Sequence, residues 1–217
     1  MNKEYLLFDL DGTLTDSMEG ITKSVQYALN KFNIKVDDLN DLCKFIGPPL
    51  INSFMEFYNF SKEDAQKAVA YYREYFADKG IFENKLYENV DELLSTLKTN
   101  GKTLILATSK PEPYALKIID YFNLSKYFDF IAGSCLDGRR SHKNEVISFV
   151  LKEANIKDLS KAIMIGDRKH DILGAKYNNI NSIGVLYGYG DYNELKTAGA
   201  DFIVKDTLEL KNLILQK

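Results

Sequence analysis

Two aspartates, Asp9 and Asp11, follow a short apolar run near the start of the chain. Residues at i and i+2 leave a strand on the same side, so the two carboxylates would stand close together at the end of a buried strand. Like charges held this close repel unless one is protonated or a cation lies between them, and oxygen-only ligands favour Mg²⁺. Gly12 would allow a turn with positive φ that exposes backbone N–H groups to an anion, and Thr13 would add a hydroxyl donor. The motif indicates a cation and anion site, although a simple turn is the alternative for one such motif alone.

Three later segments place further polar groups at the ends of apolar runs or after the loops that follow them. Thr108 and Ser109 follow one run and could donate to a phosphoryl oxygen or cap the next helix. Lys143 begins a predicted helix, where its charge opposes the helix dipole, so it favours a nearby anion unless it is simply solvated. Asp167 follows a fully apolar run, and Asp171, four residues later, could also complement a helix dipole.

Together these groups have the composition of a phosphoryl-transfer site. A carboxylate nucleophile, a cation to neutralise it and the phosphate, hydroxyl donors and a proton donor for the leaving group are the required parts. The sequence contains no G-x-x-x-x-G-K-[ST], G-x-G-x-x-G or G-x-S-x-G motif. Nucleoside-triphosphate, dinucleotide and serine-nucleophile sites of those kinds are therefore disfavoured.

The elements that must position these groups alternate along most of the chain. Apolar runs rich in β-branched and aromatic residues predict strands at 5–10, 103–108, 130–133, 162–166, 182–186 and 202–204. Patterns with helical period lie at 90–100, 113–122, 143–153 and 208–215. Alternation of this kind favours parallel strands with right-handed crossovers, so we expect a doubly wound α/β domain with a mainly parallel, Rossmann-like sheet.

One interval interrupts the alternation. Between residues 18 and 85 every pattern is helical (19–32, 38–45, 50–58 and 62–79), which is far more chain than one crossover needs. We therefore expect a helical cap domain at 17–85, inserted into an α/β core formed by 1–16 and 86–217. Ligands of open parallel sheets bind at the carboxyl ends of the strands, so an insertion after the first strand would stand over the site as a lid.

Composition restricts the class of protein. The 217 residues are 45% hydrophobic and 27% charged, as in globular proteins, with a net charge of −3 that offers no field for a nucleic-acid backbone. No apolar stretch approaches the length of a membrane span, and the first residues lack a signal-peptide pattern, so we expect a cytoplasmic protein without a membrane partner. Cys43 and Cys135 are predicted to be buried and unpaired, and the protein is expected to be a monomer or homodimer.

The four polar segments, in this order, resemble the motifs of the haloacid dehalogenase superfamily of phosphatases, and the helical insertion resembles its small helical cap. The segments Gly47-Pro48-Pro49-Leu50 and 166–171 (Gly-Asp-Arg-Lys-His-Asp) are most similar to the phosphoglycolate phosphatase-like branch, which also contains 5′-nucleotidases and pyrophosphatases. The resemblance covers essentially the whole chain.

The resemblance implies a role for each site residue. Asp9 would attack phosphorus and become an aspartyl phosphate, and Asp11 would protonate the leaving group and then deprotonate the hydrolytic water. Thr108 would hold the phosphoryl group and Lys143 would bridge nucleophile and phosphate. The magnesium ligands would be the carboxylates of Asp9 and Asp167 and the main-chain carbonyl of Asp11, with Asp171 in support.

Further residues are expected to contact the substrate, and for several the alternatives stay open. The expected substrate-binding set is Gly12, Thr13, Ser109, Gly47, Pro48 and Arg73. Relatives commonly have Asn at the position of Ser109, and a hinge for the Gly47 turn or a surface ion pair for Arg73 are the competing explanations. His142 and His170 are auxiliary at most, and the basic residues Arg139, Arg140, Arg168 and Lys169 either attract an anionic substrate or form a solvated rim.

The functional expectation is a Mg²⁺-dependent phosphomonoesterase acting on a small phosphorylated metabolite such as phosphoglycolate. A 5′-nucleotidase or pyrophosphatase of the same branch is the alternative, as is a phosphosugar mutase resembling β-phosphoglucomutase. A non-catalytic receiver-like module is disfavoured, because receivers carry their acceptor aspartate on a later strand and lack so long an insertion.

Overall fold

The computed structural model describes residues 1–216, which form two compact units. One contains Met1–Thr15 together with the chain from Leu86 onward, and the other contains Asp16–Lys85. We call the first the sheet unit and the second the helical unit. Among the described residues, no helix combines the length and apolar character needed to cross a membrane.

Strands and helices alternate through the sheet unit as the sequence predicts. The strands of the chain are β1 (Tyr5–Phe8), β2 (Thr15–Asp16), β3 (Lys85–Leu86), β4 (Thr103–Pro111), β5 (Phe130–Ser134), β6 (Ala162–Gly166), β7 (Asn181–Val185) and β8 (Phe202–Val204). The α-helices are α1 (Met18–Asn30), α2 (Leu50–Tyr58), α3 (Lys62–Tyr75), α4 (Val90–Thr99), α5 (Glu112–Tyr121), α6 (Lys143–Glu153), α7 (Lys169–Tyr177), α8 (Tyr192–Ala198) and α9 (Thr207–Leu215).

The main sheet is six-stranded and parallel, with the order β5-β4-β1-β6-β7-β8. Successive residues of β1, from Leu6 to Phe8, are all fully buried, so both faces of the sheet are covered. On one face α6 and α7 pack over the central strands through Val146, Val150 and Ala175. The α/β expectation is confirmed.

Strand order reverses at β1. From β1 the sheet extends through β4 and β5 on one side and through β6, β7 and β8 on the other. Open parallel sheets bind ligands in the crevice at the carboxyl ends of strands on either side of such a reversal. Asp9 and Asp167 directly follow the central strands β1 and β6, and Thr108 lies in the last part of β4, so the topology gathers them at one edge.

The helical unit is built from α1, α2 and α3, with a 3₁₀ segment at Leu39–Phe45 where the sequence pattern predicts an ordinary helix. The predicted helix at 62–79 is α-helical to Tyr75 and continues as a π-turn over Phe76–Gly80. The short strands β2 and β3, where the chain passes between the units, pair in a two-stranded sheet.

Other boundaries also differ from the sequence prediction. Strand β1 ends at Phe8, because the chain turns immediately at the following motif. Strand β4 continues to Pro111 past the predicted end at Thr108, through an irregularity described below. Helices α7 and α8 were not predicted, because α7 carries weak apolar periodicity and α8 is only 7 residues long.

Candidate active site

Asp9 is held at the junction of β1 and β6. Its backbone N–H donates to the carbonyl of Ile165 at 3.0 Å, which continues the ladder between the two strands. Asp167 directly follows β6, and Asp171 lies in the first turn of α7. One carboxylate oxygen from each of Asp9, Asp167 and Asp171 lies within 4.8 Å of the other two, and all three residues are buried.

Asp171 has two structural tasks. Its Oδ2 accepts a hydrogen bond from the Arg168 N–H at 3.0 Å and so caps the start of α7. Its Oδ1 lies 2.8 Å from Lys143 Nζ. The helix-start explanation therefore applies to this residue, and its role as a supporting metal ligand stays a prediction.

Lys143 supplies the positive charge of the cluster. Its Nζ lies 2.7 Å from Asp9 Oδ1 and 2.8 Å from Asp171 Oδ1, and it donates to the Ala107 carbonyl at 3.0 Å. The side chain is only 3% exposed. Burial alone would lower the pKa of Lys143, but Asp171 and Asp9 outweigh it and raise the pKa, so the amine stays charged.

A single ammonium facing three carboxylates leaves the cluster short of positive charge. Burial, together with the charges of Asp171 and Asp9, raises the pKa of Asp167 well above its usual range. Burial also raises the pKa of Asp171 to about 6, although Lys143 opposes the shift. Protons or a cation must therefore balance the cluster near neutral pH.

The cluster fits a divalent cation. Its donors are carboxylate oxygens, which Mg²⁺ prefers, and they converge from elements that the fold holds rigidly. Glycines make room around the most buried of them: Gly12 has φ +85°, and a Cβ there would lie 2.1 Å from Asp167 Oδ2. A Cβ on Gly188, in the loop after β7, would lie 2.4 Å from Asp167 Cβ.

Gly12 and Thr13, which are predicted to bind phosphate, both lie next to Asp167 of this cluster. Thr13 is fully buried, and its hydroxyl lies 3.4 Å from Asp167 Oδ1. Tyr189 N–H donates to Asp167 Oδ2 at 2.8 Å. Sequence reasoning missed the loop containing Gly188, Tyr189 and Gly190, although its G-x-G spacing after a strand was a signal for close backbone approach.

Strand β4 departs from regular pairing where it reaches the site. Its register with β5 pairs Ala107 with Ala132 and then Pro111 with Ser134, so β4 carries extra residues between these pairs. Such bulges redirect side chains and are frequent next to active sites. The residues in the bulge are Thr108, Ser109 and Lys110. Thr108 is 2% exposed, and its oxygen accepts from Lys110 N–H at 3.3 Å, which leaves the hydroxyl proton for donation.

Asp11 lies apart from the three converging carboxylates. Its Oδ2 is 2.6 Å from Lys110 Nζ, and this pair is largely shielded from solvent. The side chain is therefore not a member of the carboxylate cluster, and metal binding by the main-chain carbonyl of Asp11 stays a prediction. Sequence reasoning did not assign any role to Lys110.

The other candidate residues lie in varied settings. Gly47 precedes α2, with Pro48 after it, and Arg73 lies on α3. All three belong to the helical unit, and their contact with substrate remains a prediction. The arginines of the basic cluster pair with carboxylates at 2.8 to 3.0 Å, in the pairs Arg139–Asp137, Arg140–Glu112 and Arg168–Glu194.

Both histidines lie at helix starts, as the sequence indicates. His142 precedes α6, and its N–H donates to Glu145 at 3.0 Å. Burial, followed by the charges of Arg168 and Lys169, lowers the pKa of His170. His170 is consequently neutral at physiological pH. Cys43 and Cys135 are unpaired, as expected, but they are only partly buried, so the expectation that they are buried is wrong.

Known proteins match this chain in both sequence and fold. A model of the family described as haloacid dehalogenase-like hydrolase matches residues 6–185. The crystal structure of a predicted phosphatase from Clostridium acetobutylicum superposes with a TM-score of 0.97, at 56% identity over 99% of both chains. A 5′-nucleotidase from Pseudomonas aeruginosa is 44% identical over 209 residues, which cover 96% of this chain and 94% of the relative.

A third relative carries a different name. The tyrosine-protein kinase PtkA from Mycobacterium tuberculosis is 36% identical over 203 residues, which cover 93% of this chain and 66% of the kinase. Relatives similar to this chain over most of its length are therefore named for different activities.

Proposed function

Since the chain belongs to the haloacid dehalogenase-like hydrolase family and has phosphatase relatives, we propose that it is a Mg²⁺-dependent phosphomonoesterase that acts through an aspartyl phosphate on Asp9. The observation that carries the proposal is the convergence of three buried carboxylates around one lysine at the carboxyl edge of the sheet. The magnesium ligands in this proposal are Asp9, Asp167 and the main-chain carbonyl of Asp11, supported by Asp171.

The proposed first step is displacement at phosphorus. A carboxylate oxygen of Asp9 forms a bond to phosphorus while the bond to the leaving oxygen breaks, and Asp11 donates a proton to that oxygen. Lys143 and the Thr108 hydroxyl hold the phosphoryl oxygens. Bound Mg²⁺ would supply charge neutralisation for Asp9 and the phosphate dianion.

The proposed second step regenerates the enzyme. Asp11, now a carboxylate, takes a proton from a water molecule, whose oxygen attacks the phosphorus of the aspartyl phosphate. The acyl phosphate bond breaks, inorganic phosphate forms and Asp9 is again a carboxylate. The low exposure of both Asp9 and Asp11 supports this assignment, because protein groups replace bulk water around the transferring proton.

Among substrates, we propose a nucleoside 5′-monophosphate ahead of phosphoglycolate. The support is the 44% identity over nearly the full length of a protein named as a 5′-nucleotidase. Pyrophosphate and a sugar phosphate remain the other candidates. The site residues assigned here would contact the phosphoryl group that all of these substrates share, so these residues do not distinguish among them.

A phosphate-release panel tests this order. We expect nucleoside 5′-monophosphates to give kcat/KM values at least about tenfold above those for 2-phosphoglycolate, pyrophosphate and β-glucose 1-phosphate, and we expect EDTA to abolish release. Higher kcat/KM for phosphoglycolate would move the assignment to that substrate. Conversion of β-glucose 1-phosphate to an isomer without free phosphate would identify a mutase instead. Transfer from ATP to tyrosine without ester hydrolysis would identify a kinase.

Metal binding should depend on pH in a defined direction. Because the pKa of Asp171 is raised to about 6 and that of Asp167 is also raised, protons compete with the cation at low pH. We therefore expect Mg²⁺ to raise Tm strongly at pH 7.5 and weakly at pH 5.0.

The pH dependence of stability in the metal-free protein provides a second test. The unfolded chain releases these protons near pH 4 while the folded chain retains them, so without metal Asp171 makes stability fall as pH rises from about 4 to about 6, and Asp167 acts in the same direction. Asp167→Asn should lose most of the Mg²⁺-induced shift at both pH values. An equal shift at pH 5.0 and 7.5, or a full shift in Asp167→Asn, would contradict the assignment of the site.

A further inference from the structure

We propose that Lys110 is a positioning residue that fixes the carboxylate of Asp11 for proton transfer. This inference rests on the proposed function and assigns a role to a residue that the mechanism above leaves unused. Lys110 Nζ lies 2.6 Å from Asp11 Oδ2, between residues 99 positions apart in the chain.

The ion pair is protected from water. The side chain of Lys110 is 5% exposed and that of Asp11 is 12% exposed. Exposed ion pairs contribute little, because water screens them, whereas a shielded pair fixes both partners. Burial of a lysine needs a compensating anion, and Asp11 provides it.

The pair also makes the two oxygens of Asp11 different. Oδ2 is held by the ammonium of Lys110, whereas Oδ1 is buried without a hydrogen-bond partner among the described residues. A buried carboxylate oxygen normally has a partner. Oδ1 is therefore the oxygen that would meet the leaving group in the first step and the water in the second.

Close packing and hydrogen bonds at Gly133 also fix the backbone around Lys110. Lys110 lies in the β4 bulge, and its carbonyl oxygen packs against Gly133 so closely that a Cβ there would lie 2.5 Å away. Glu112 accepts from the Gly133 N–H at 3.2 Å, and Arg140 Nε donates to the Gly133 carbonyl at 2.8 Å. Arg140 and Glu112 are themselves paired at 3.0 Å.

Lys143 and Lys110 have different tasks at the site. Lys143 neutralises Asp9 and Asp171 in the metal cluster, while Lys110 contacts the proton-transferring residue. Removing Lys110 leaves the metal cluster's own ion pairs in place. Its loss should therefore impair protonation of the leaving group more than the attack by Asp9.

Leaving-group dependence tests this role. A 4-nitrophenolate departs with little help from an acid, whereas an alkoxide requires a proton. We expect Lys110→Met to lower kcat/KM for propyl phosphate about 30-fold or more and for 4-nitrophenyl phosphate by less than about fivefold. Lys110→Arg should restore most of the loss. Asp11→Asn should show the same selective pattern, and adding Lys110→Met to it should have little further effect.

The control and the contrary outcomes separate the possible explanations. Lys161→Met removes a surface ion pair with Glu4 near the amino ends of β1 and β6 and should leave both kcat/KM values unchanged. An equal loss for the two esters in Lys110→Met, or additive losses with Asp11→Asn, would overturn the positioning role while the phosphatase assignment stands. A higher KM alone with unchanged kcat would instead make Lys110 a substrate-binding residue. A wild-type enzyme inactive on both esters and on every nucleoside 5′-monophosphate would overturn the proposed function and this role with it.

Discussion

Asp9→Asn is expected to lower phosphate release by about 10⁴-fold or more, because the amide cannot form the covalent intermediate. The loss should fall on kcat for every substrate that the wild-type enzyme accepts, including esters with good leaving groups. The measurement is steady-state phosphate release with the best substrate of the panel, using protein purified in parallel with the wild type.

The fold should survive this substitution. Asn has the size of Asp, and Lys143 keeps Asp171 as a partner at 2.8 Å. We expect circular dichroism and Tm close to those of the wild type without metal. Asp91→Asn, at an exposed position on α4, is the matched control and should retain full activity. Activity of Asp9→Asn within about tenfold of wild type, with no sign of contaminating enzyme, would refute a nucleophilic role for Asp9.

Lys143→Met should have the largest effect on stability. The substitution leaves three buried carboxylates with no ammonium, and breaking a buried pair by removing one partner costs about 3–5 kcal/mol. We expect the free energy of unfolding, measured with urea in EDTA, to fall by about that amount, and activity to be lost. Added Mg²⁺ should recover part of the stability because it replaces the missing charge.

Two further variants make this prediction decisive. Lys161→Met removes an exposed ion pair and should cost at most about 1 kcal/mol. Should Lys143→Met fail to fold, the double variant Lys143→Met/Asp171→Asn should be more stable than the single one, since it removes part of the repulsion. A cost for Lys143→Met no greater than that for Lys161→Met would contradict the charge balance described for the cluster.

The sequence predicted site residues best where a polar residue directly follows an apolar run. Asp9 and Asp167 each follow a buried strand, and a carboxylate in that position has few explanations other than a ligand or a reacting group. The parallel sheet then brings them together, because the carboxyl ends of its strands share one edge. Alternation of strands and helices was enough to predict that sheet and the helical insertion.

Other features depend on contacts between residues far apart in the chain, which no local sequence pattern predicts. The pair Lys110–Asp11 joins residues 99 positions apart through a bulge in β4, and no periodicity predicts either the bulge or its direction. The carboxylate partners of Arg140 and Arg168 are likewise 28 and 26 residues away, so the sequence left substrate attraction open. Short helices such as α8 are set by packing more than by local pattern.

The central claim is that Asp9 carries the phosphoryl group during turnover, and acid quenching of the enzyme during turnover of ³²P-labelled substrate tests it directly. The account predicts stoichiometric label, sensitive to hydroxylamine, on the tryptic peptide that runs from Glu4 to Lys23 and at Asp9 within it. Label on His142, on His170 or on a hydroxyl residue, or turnover without any trapped covalent label, would contradict it.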